Sequence, residues 1–138
     1  AEQFAETADL DALNALKTCV GELRSAYASG DLRATLEAKR AFYDCFCEGA
    51  GNPIVQDLLK RLNSRVTQLR ARSLTHKGRQ GSSMAEIDAL VAALAARDPV
   101  ASREAAVAHV ANAATVALAG LPDHDENDDE HRNEESAR

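Results

Sequence analysis

From Leu10 to about Ala119, apolar residues return every three or four positions, and the pattern breaks only at Gly, Pro and short polar clusters. That period is the repeat of an α-helix with one buried face, and no alternating strand pattern competes with it. The first helix is predicted from about Ala8 to Ala28, with Leu10, Leu13, Leu16, Val20, Leu23 and Tyr27 on one face. Ser29-Gly30 ends it, and Asp31 caps a second helix running to about Glu48 that buries Leu32, Leu36, Phe46 and Phe42 or Tyr43. Gly49, Gly51 and Asn52 form a turn, and Pro53 suits the first position of a third helix ending near Ser73. Thr75 to Gly81 reads as a polar, mobile loop. Ser83 and Glu86 then form a capping-box pattern ahead of a fourth helix, and Asp98-Pro99 starts a fifth that ends before Gly120 and Pro122. Five amphipathic helices bury their apolar stripes only against each other. The fold class is therefore all-α, an antiparallel helical bundle.

Composition agrees, with Ala and Leu abundant, three prolines, five aromatic residues and no Trp. At 138 residues the chain fits one domain, expected over residues 1–121 and followed by an acidic tail over 122–138. From Asp123 onward the tail carries eight acids and two bases, which accounts for the whole net charge of −6. Lacking apolar residues to offset the entropy of ordering, the tail is expected to be disordered. The body, with fourteen acids and fourteen bases, is neutral and shows no basic stripe of the kind that binds nucleic acid. No apolar run approaches the ~20 residues of a membrane span, and no secretory leader pattern is present. Cys19, Cys45 and Cys47 form no CxxC pair, and Cys45 and Cys47 lie about 200° apart around their helix. Reduced thiols acting as small apolar groups in a cytoplasmic protein fit best. The chain opens at Ala1, which reads as a processed or truncated product.

Two stretches carry a resemblance. Ala41-Phe42-Tyr43-Asp44-Cys45-Phe46-Cys47-Glu48-Gly49-Ala50-Gly51-Asn52-Pro53 resembles the "FH-x-x-l-x-x-a-s/a-G-N-P" segment of the FCD ligand-binding domain found in GntR-type transcription regulators. Ile87 to His109 resembles the closing pattern of that domain, "H-x-x-I-x-x-A-L-x-x-x-D-x-x-x-A-x-x-x-M-x-x-H". Both occur in order, and the resemblance covers roughly residues 1–119, with or without the family's first helix. It implies a helical bundle around a small-molecule cavity, attached to a winged helix that reads operator DNA as a homodimer. DNA is then a partner only through that winged helix, which this stretch lacks. The resemblance further implies a divalent metal, often Zn, held by one Asp and three His, with an organic acid bound beside it.

Here the pattern departs. The Asp and first His positions fall on Lys39 and Tyr43, the next His on Ile87, and only His109 keeps a ligand. One imidazole cannot hold a metal alone, Lys⁺ repels one and Ile87 offers no donor, so the Zn- or Ni-type site is expected to be lost and no cofactor is expected. In its place Lys39, Tyr43 and His109, beside Ile87, are candidate contacts for an organic anion. Lys39 would supply the charge, and Tyr43 and His109 oriented hydrogen bonds. The alternative is that Lys39 snorkels outward while Tyr43 and His109 are interior groups. Arg65 and Arg72 lie close to two turns apart and are further anion candidates, with a solvated helix face as the plainer explanation. His124 and His131 fall in the tail.

No catalytic residues are expected. A di-metal bundle enzyme needs Glu-x-x-His pairs on facing helices, and none occurs; a phosphate-binding loop, nucleophile elbow or dinucleotide fingerprint is also missing. The expected function is effector sensing in a transcription regulator, and the competing one is a former sensor that now only pairs subunits.

Overall fold

A computed structural model describes residues 1–119, so the tail expected over 122–138 lies outside the described residues. Seven helices occur among them: α1 Glu2–Thr7, α2 Leu10–Ser29, α3 Leu32–Gly49, α4 Pro53–Arg61, α5 Asn63–Thr75, α6 Arg79–Ala95 and α7 Pro99–Leu118, with no strand. Side-chain caps start most of the long helices, and the one at Asp31 is where the sequence placed it. Asp9, Asp31, Asn52 and Asp98 each accept a hydrogen bond from a backbone N–H of the following turn, which satisfies donors that have no partner inside the helix. Gly30 ends α2 with φ 71°, a left-handed conformation that costs glycine little.

Short turns fold α3 back on α2 and α7 back on α6, and α2 also packs on α6 and α5 on α7. The core between them holds Leu13, Leu16, Val20 and Leu23 of α2, Phe42 of α3, and Met84, Ile87, Leu90 and Leu94 of α6. Each such side chain fully withdrawn from water contributes about 1.5–3 kcal/mol, enough for the stripe to set the packing.

The structure departs from the predicted helices at three places, two of which raise their number from five to seven among the described residues. A short helix precedes the first predicted one. Phe4 of α1 is buried and stacks on Phe46 of α3, with ring centroids 5.6 Å apart, and the Arg97 guanidinium donates to the carbonyls of Ala5 and Ala8 just beyond it. Two adjacent apolar residues, Phe4 and Ala5, in the six of α1 give no periodicity to read. Second, the predicted helix from Pro53 to Ser73 is two, because Leu62 takes φ −85°, ψ −1° and turns the chain between α4 and α5. Apolar spacing continues through the break, so the sequence hides it. Third, α6 begins at Arg79 after a left-handed Gly78, four residues ahead of the expected cap. Ser83 is not a cap; it is buried and its hydroxyl meets Tyr27 Oη at 3.1 Å. Arg79, placed in the mobile loop by sequence, is buried as well.

The three thiols are free. Cys47 is buried, and Cys19 of α2 and Cys45 of α3 pack half-buried against the core.

Candidate functional site

The second helix pattern, α3, presents Lys39 and Tyr43 one turn apart on the side that meets α5, α6 and α7. Lys39 is 3% exposed, yet no carboxylate lies within ion-pair distance and no hydrogen bond reaches its ammonium among the described residues. Burial drives its pKa from 10.5 down to about 7, and the nearby Arg70 and Arg79 add to the drop while Glu86 opposes it.

Beside Lys39 a chain of polar contacts crosses the bundle. Arg79 donates to both oxygens of Glu86, at 2.9 and 2.8 Å, and this pair is almost dry, with side chains 4% and 16% exposed. Glu86 also accepts from Asn112 at 2.9 Å, and its Oε2 lies 2.7 Å from His109 Nδ1. His109 Nε2 lies 2.9 Å from the Tyr43 hydroxyl. With Glu86 ionised, the imidazole donates from Nδ1, so its Nε2 lone pair accepts the Tyr43 proton. The order is Arg79, Glu86, His109, Tyr43. Beyond it, Arg70 of α5 stands over the Tyr43 ring with its guanidinium carbon 4.2 Å from the centroid.

Charges in this cluster do not cancel. Burial alone would raise the Glu86 carboxyl, but hydrogen bonds from Arg79, Asn112 and His109 hold it below the usual carboxylate range. Because Arg79 already neutralises Glu86, the imidazole gains little from that contact. Burial, reinforced by Lys39, pushes His109 from 6.5 to about 4 and keeps it neutral. Burial also lifts the Tyr43 phenol, against Arg70 and Arg79. Glu86 thus faces Arg79 and Lys39, while Arg70 has Asp44 as its nearby carboxylate. Lys39 is the group in this cluster left without a carboxylate at ion-pair distance among the described residues.

Tyr43 and Arg70 connect this cluster to a groove open to solvent between α3, α4 and α5. Its volume is about 330 Å³, at the low end of the ~300–1,000 Å³ of small-molecule sites. Arg40, Lys60 and Arg70 line it with Asp44 as the one acid, and Cys47, Leu59 and Val66 supply apolar wall.

The candidates read from sequence therefore fall in different places. Lys39, Tyr43 and His109 come together, and Tyr43 also faces the groove. Ile87 is fully buried within the apolar core. Arg65 is exposed on α5 and does not line the groove, and Arg72 is exposed with contacts of its own. Arg79, Glu86, Asn112 and Arg70 went unrecognised. Arg79 and Glu86 lie seven apart on one helix, two turns, but placing that helix start at Ser83 left Arg79 outside it.

A divalent metal does not fit these residues. Lys39, Tyr43 and Ile87 stand at three of the four positions the resemblance assigns to ligands, and both nitrogens of His109 are engaged. Among the described residues no three His, Cys, Asp or Glu side chains gather as a donor set.

A family model for the FCD domain matches residues 1–112, a span that takes in the whole polar cluster. No curated protein matches the chain.

Proposed function

The chain belongs to the FCD domain family, the effector-binding modules of GntR-type regulators, and from that premise we propose that it binds a small organic anion through lysine rather than through a metal. The observation that carries this reading is Lys39, a buried amine with no carboxylate within ion-pair distance among the described residues, which an anion beside it would hold in the charged form. Burying an ammonium costs several kcal/mol, and an anion beside it offsets that cost. Tyr43 and Arg70 link the buried cluster to the groove, so an acid seated against Arg40 and Arg70 lies next to the field of Lys39.

The readout follows from the position of the helices. An anion that draws on Lys39 and Tyr43 competes with the Tyr43–His109 bond, and His109 and Glu86 sit on α7 and α6, which also hold α1 through Arg97. Effector binding would shift the balance of those contacts, and with it the placement of a winged helix in a homodimeric, cytoplasmic regulator. This role is regulatory, and the cluster is given no catalytic step. No helix among the described residues is long and apolar enough to cross a membrane.

Calorimetry of the full chain against succinate and citrate tests the reading. Loss of one charge-assisted contact, about 1.5–3 kcal/mol, weakens binding about 10- to 100-fold in Lys39→Met. Equal affinity in both proteins removes Lys39 from the site.

A second reading, a scaffold that only pairs subunits, is favoured by the closure of the interior. Ile87 is fully buried, and Tyr43 reaches His109 across the space a ligand would need. Helix α4 buries none of its residues and leaves Ile54 80% exposed, which suits pairing with another chain. No binding of any carboxylate by the wild-type chain, together with a stable dimer, decides for the scaffold.

A further inference from the structure

Positive charge on the body is concentrated in one region. Residues 53–79 hold seven of the fourteen bases of residues 1–119 and, in Asp57, one of the fourteen acids. Of the exposed arginines elsewhere, Arg24 meets Asp88 at 2.7 Å, Arg33 meets Glu37 at 3.1 Å and Arg103 meets Glu2 at 3.9 Å, while Arg97 is engaged by the carbonyls of Ala5 and Ala8. By contrast Arg40, Lys60, Arg61, Arg65 and Arg70 have no carboxylate within ion-pair distance among the described residues. Arg40, Lys60, Arg61 and Arg65 are exposed, and Arg40, Lys60 and Arg70 line the groove. Arg24, Arg33 and Arg103 are paired with carboxylates and these five cations are not, among the described residues, which leaves this face free to receive an anion from outside the bundle.

The same chain supplies a matching polyanion. Residues 123–138 carry eight acids against two bases, a net −6, and the stretch contains no apolar side chain larger than Ala137. It begins just beyond Ala119, at the end of the helix that packs on α5. A strand of 19 residues reaches up to about 60 Å, so distance sets no limit. Tethering also gives the tail an effective concentration on the order of mM, which a free partner seldom matches.

We infer that the acidic segment 123–138 docks on the basic face of its own chain formed by Arg40, Lys60, Arg61, Arg65 and Arg70, and occupies the groove as an internal competitor for anions. The chemistry is multivalent carboxylate–guanidinium and carboxylate–ammonium pairing, with Arg70 at the groove wall and Lys60 at its rim. The groove is thereby closed to weak monoanions and open to ligands that outbid the tether. This competitor role rests on the proposed anion site; the docking itself does not.

Zero-length carbodiimide coupling of the full chain, read by peptide mass spectrometry, tests it. Tail carboxylates are expected to couple to Lys60 at least about tenfold more than to Lys17, an exposed lysine on α2. In about 1 M salt, where screening acts over about 3 Å, the preference for Lys60 disappears. Arg61→Glu with Arg65→Glu, both on exposed positions, lowers coupling at Lys60 several-fold while the helical spectrum stays unchanged. Equal coupling at Lys17 and Lys60 overturns the docking, as does a Lys60 yield indifferent to salt. In a mixture of isotope-labelled and unlabelled chains, a dominant between-chain product overturns docking within one chain. Replacing the eight tail acids by Asn and Gln is expected to tighten pyrophosphate binding about three- to tenfold. Persistent coupling to Lys60 in a chain that binds no anion would sink the effector reading and leave the docking standing. Loss of the Lys60 preference with anion binding intact does the reverse.

Discussion

Removing the Glu86 carboxylate tests whether the polar chain across the bundle is held as a buried ion pair. Glu86 accepts four hydrogen bonds between 2.7 and 2.9 Å, two of them from an arginine whose side chain is 4% exposed. In Glu86→Ala the Arg79 charge remains inside with only Ser73 Oγ, at 3.4 Å, to meet it. Stranding one member of a buried pair costs about 3–5 kcal/mol, and the partial exposure of Glu86 argues for the lower end, about 3 kcal/mol. For a chain of this size that is a fall in Tm of about 10–15 °C, with the urea midpoint falling in parallel. The matched control is Arg24→Ala, which breaks an exposed pair and should cost under about 1 kcal/mol. The decisive variant is Glu86→Ala with Arg79→Met, which removes both charges and should recover about half of the loss. Circular dichroism melts of the four proteins give the answer. A double variant no more stable than Glu86→Ala refutes the argument, because the cost then lies in lost packing and not in a stranded charge.

Lys39 and His109 contribute to the pH dependence with the same sign. His109 falls from 6.5 to about 4 on folding and Lys39 from 10.5 to about 7, so between each pair of values the unfolded chain holds more protons and stability drops as pH drops. The contributions of Lys39 and His109 to the urea midpoint should therefore decline from 10.5 toward 7 and again from 6.5 toward 4, while Tyr27, Tyr43, Cys45 and Cys47, all raised by burial, act with the opposite sign at the alkaline end. Lys39→Met flattens the upper limb and His109→Gln the lower, and an upper limb unchanged in Lys39→Met removes the assigned cause. Gly49→Ala drives a methyl group into the buried Phe4 ring, which has no room to yield. It should cost about 1–3 kcal/mol and loosen α1, seen as faster amide exchange at Ala5 and Ala8; unchanged exchange there contradicts the packing of α1.

The helices were legible wherever a stripe was long and a cap was chemical. Leu13, Leu16, Val20 and Leu23 fall inside as their spacing demands, Asp31 caps as expected, and helices start at Pro53 and Pro99 where the sequence placed them. The misses share a cause, because tertiary contacts outweighed local preference. Ser83 forgoes its cap to meet Tyr27, and Glu86 forgoes its capping-box partner for Arg79 and His109. Of the site, the convergence of Lys39, Tyr43 and His109 was implied by the resemblance, whose ligand positions they occupy; helix geometry alone placed only Lys39 and Tyr43 on one face. Neither indicated the side of α5 that faces Tyr43. Arg65 was singled out and Arg70 was not, since the turn at Leu62 resets the helix phase and nothing local marks it.

The account stands on an anion site that works without a metal. Calorimetry of the full chain with citrate, after exhaustive treatment with a chelator and then with Zn²⁺ or Ni²⁺ restored, addresses this directly. The predicted result is saturable binding by the chelated protein, with affinity unchanged within about twofold on adding either ion. Binding that appears only after the metal returns, at one ion per chain, contradicts the account.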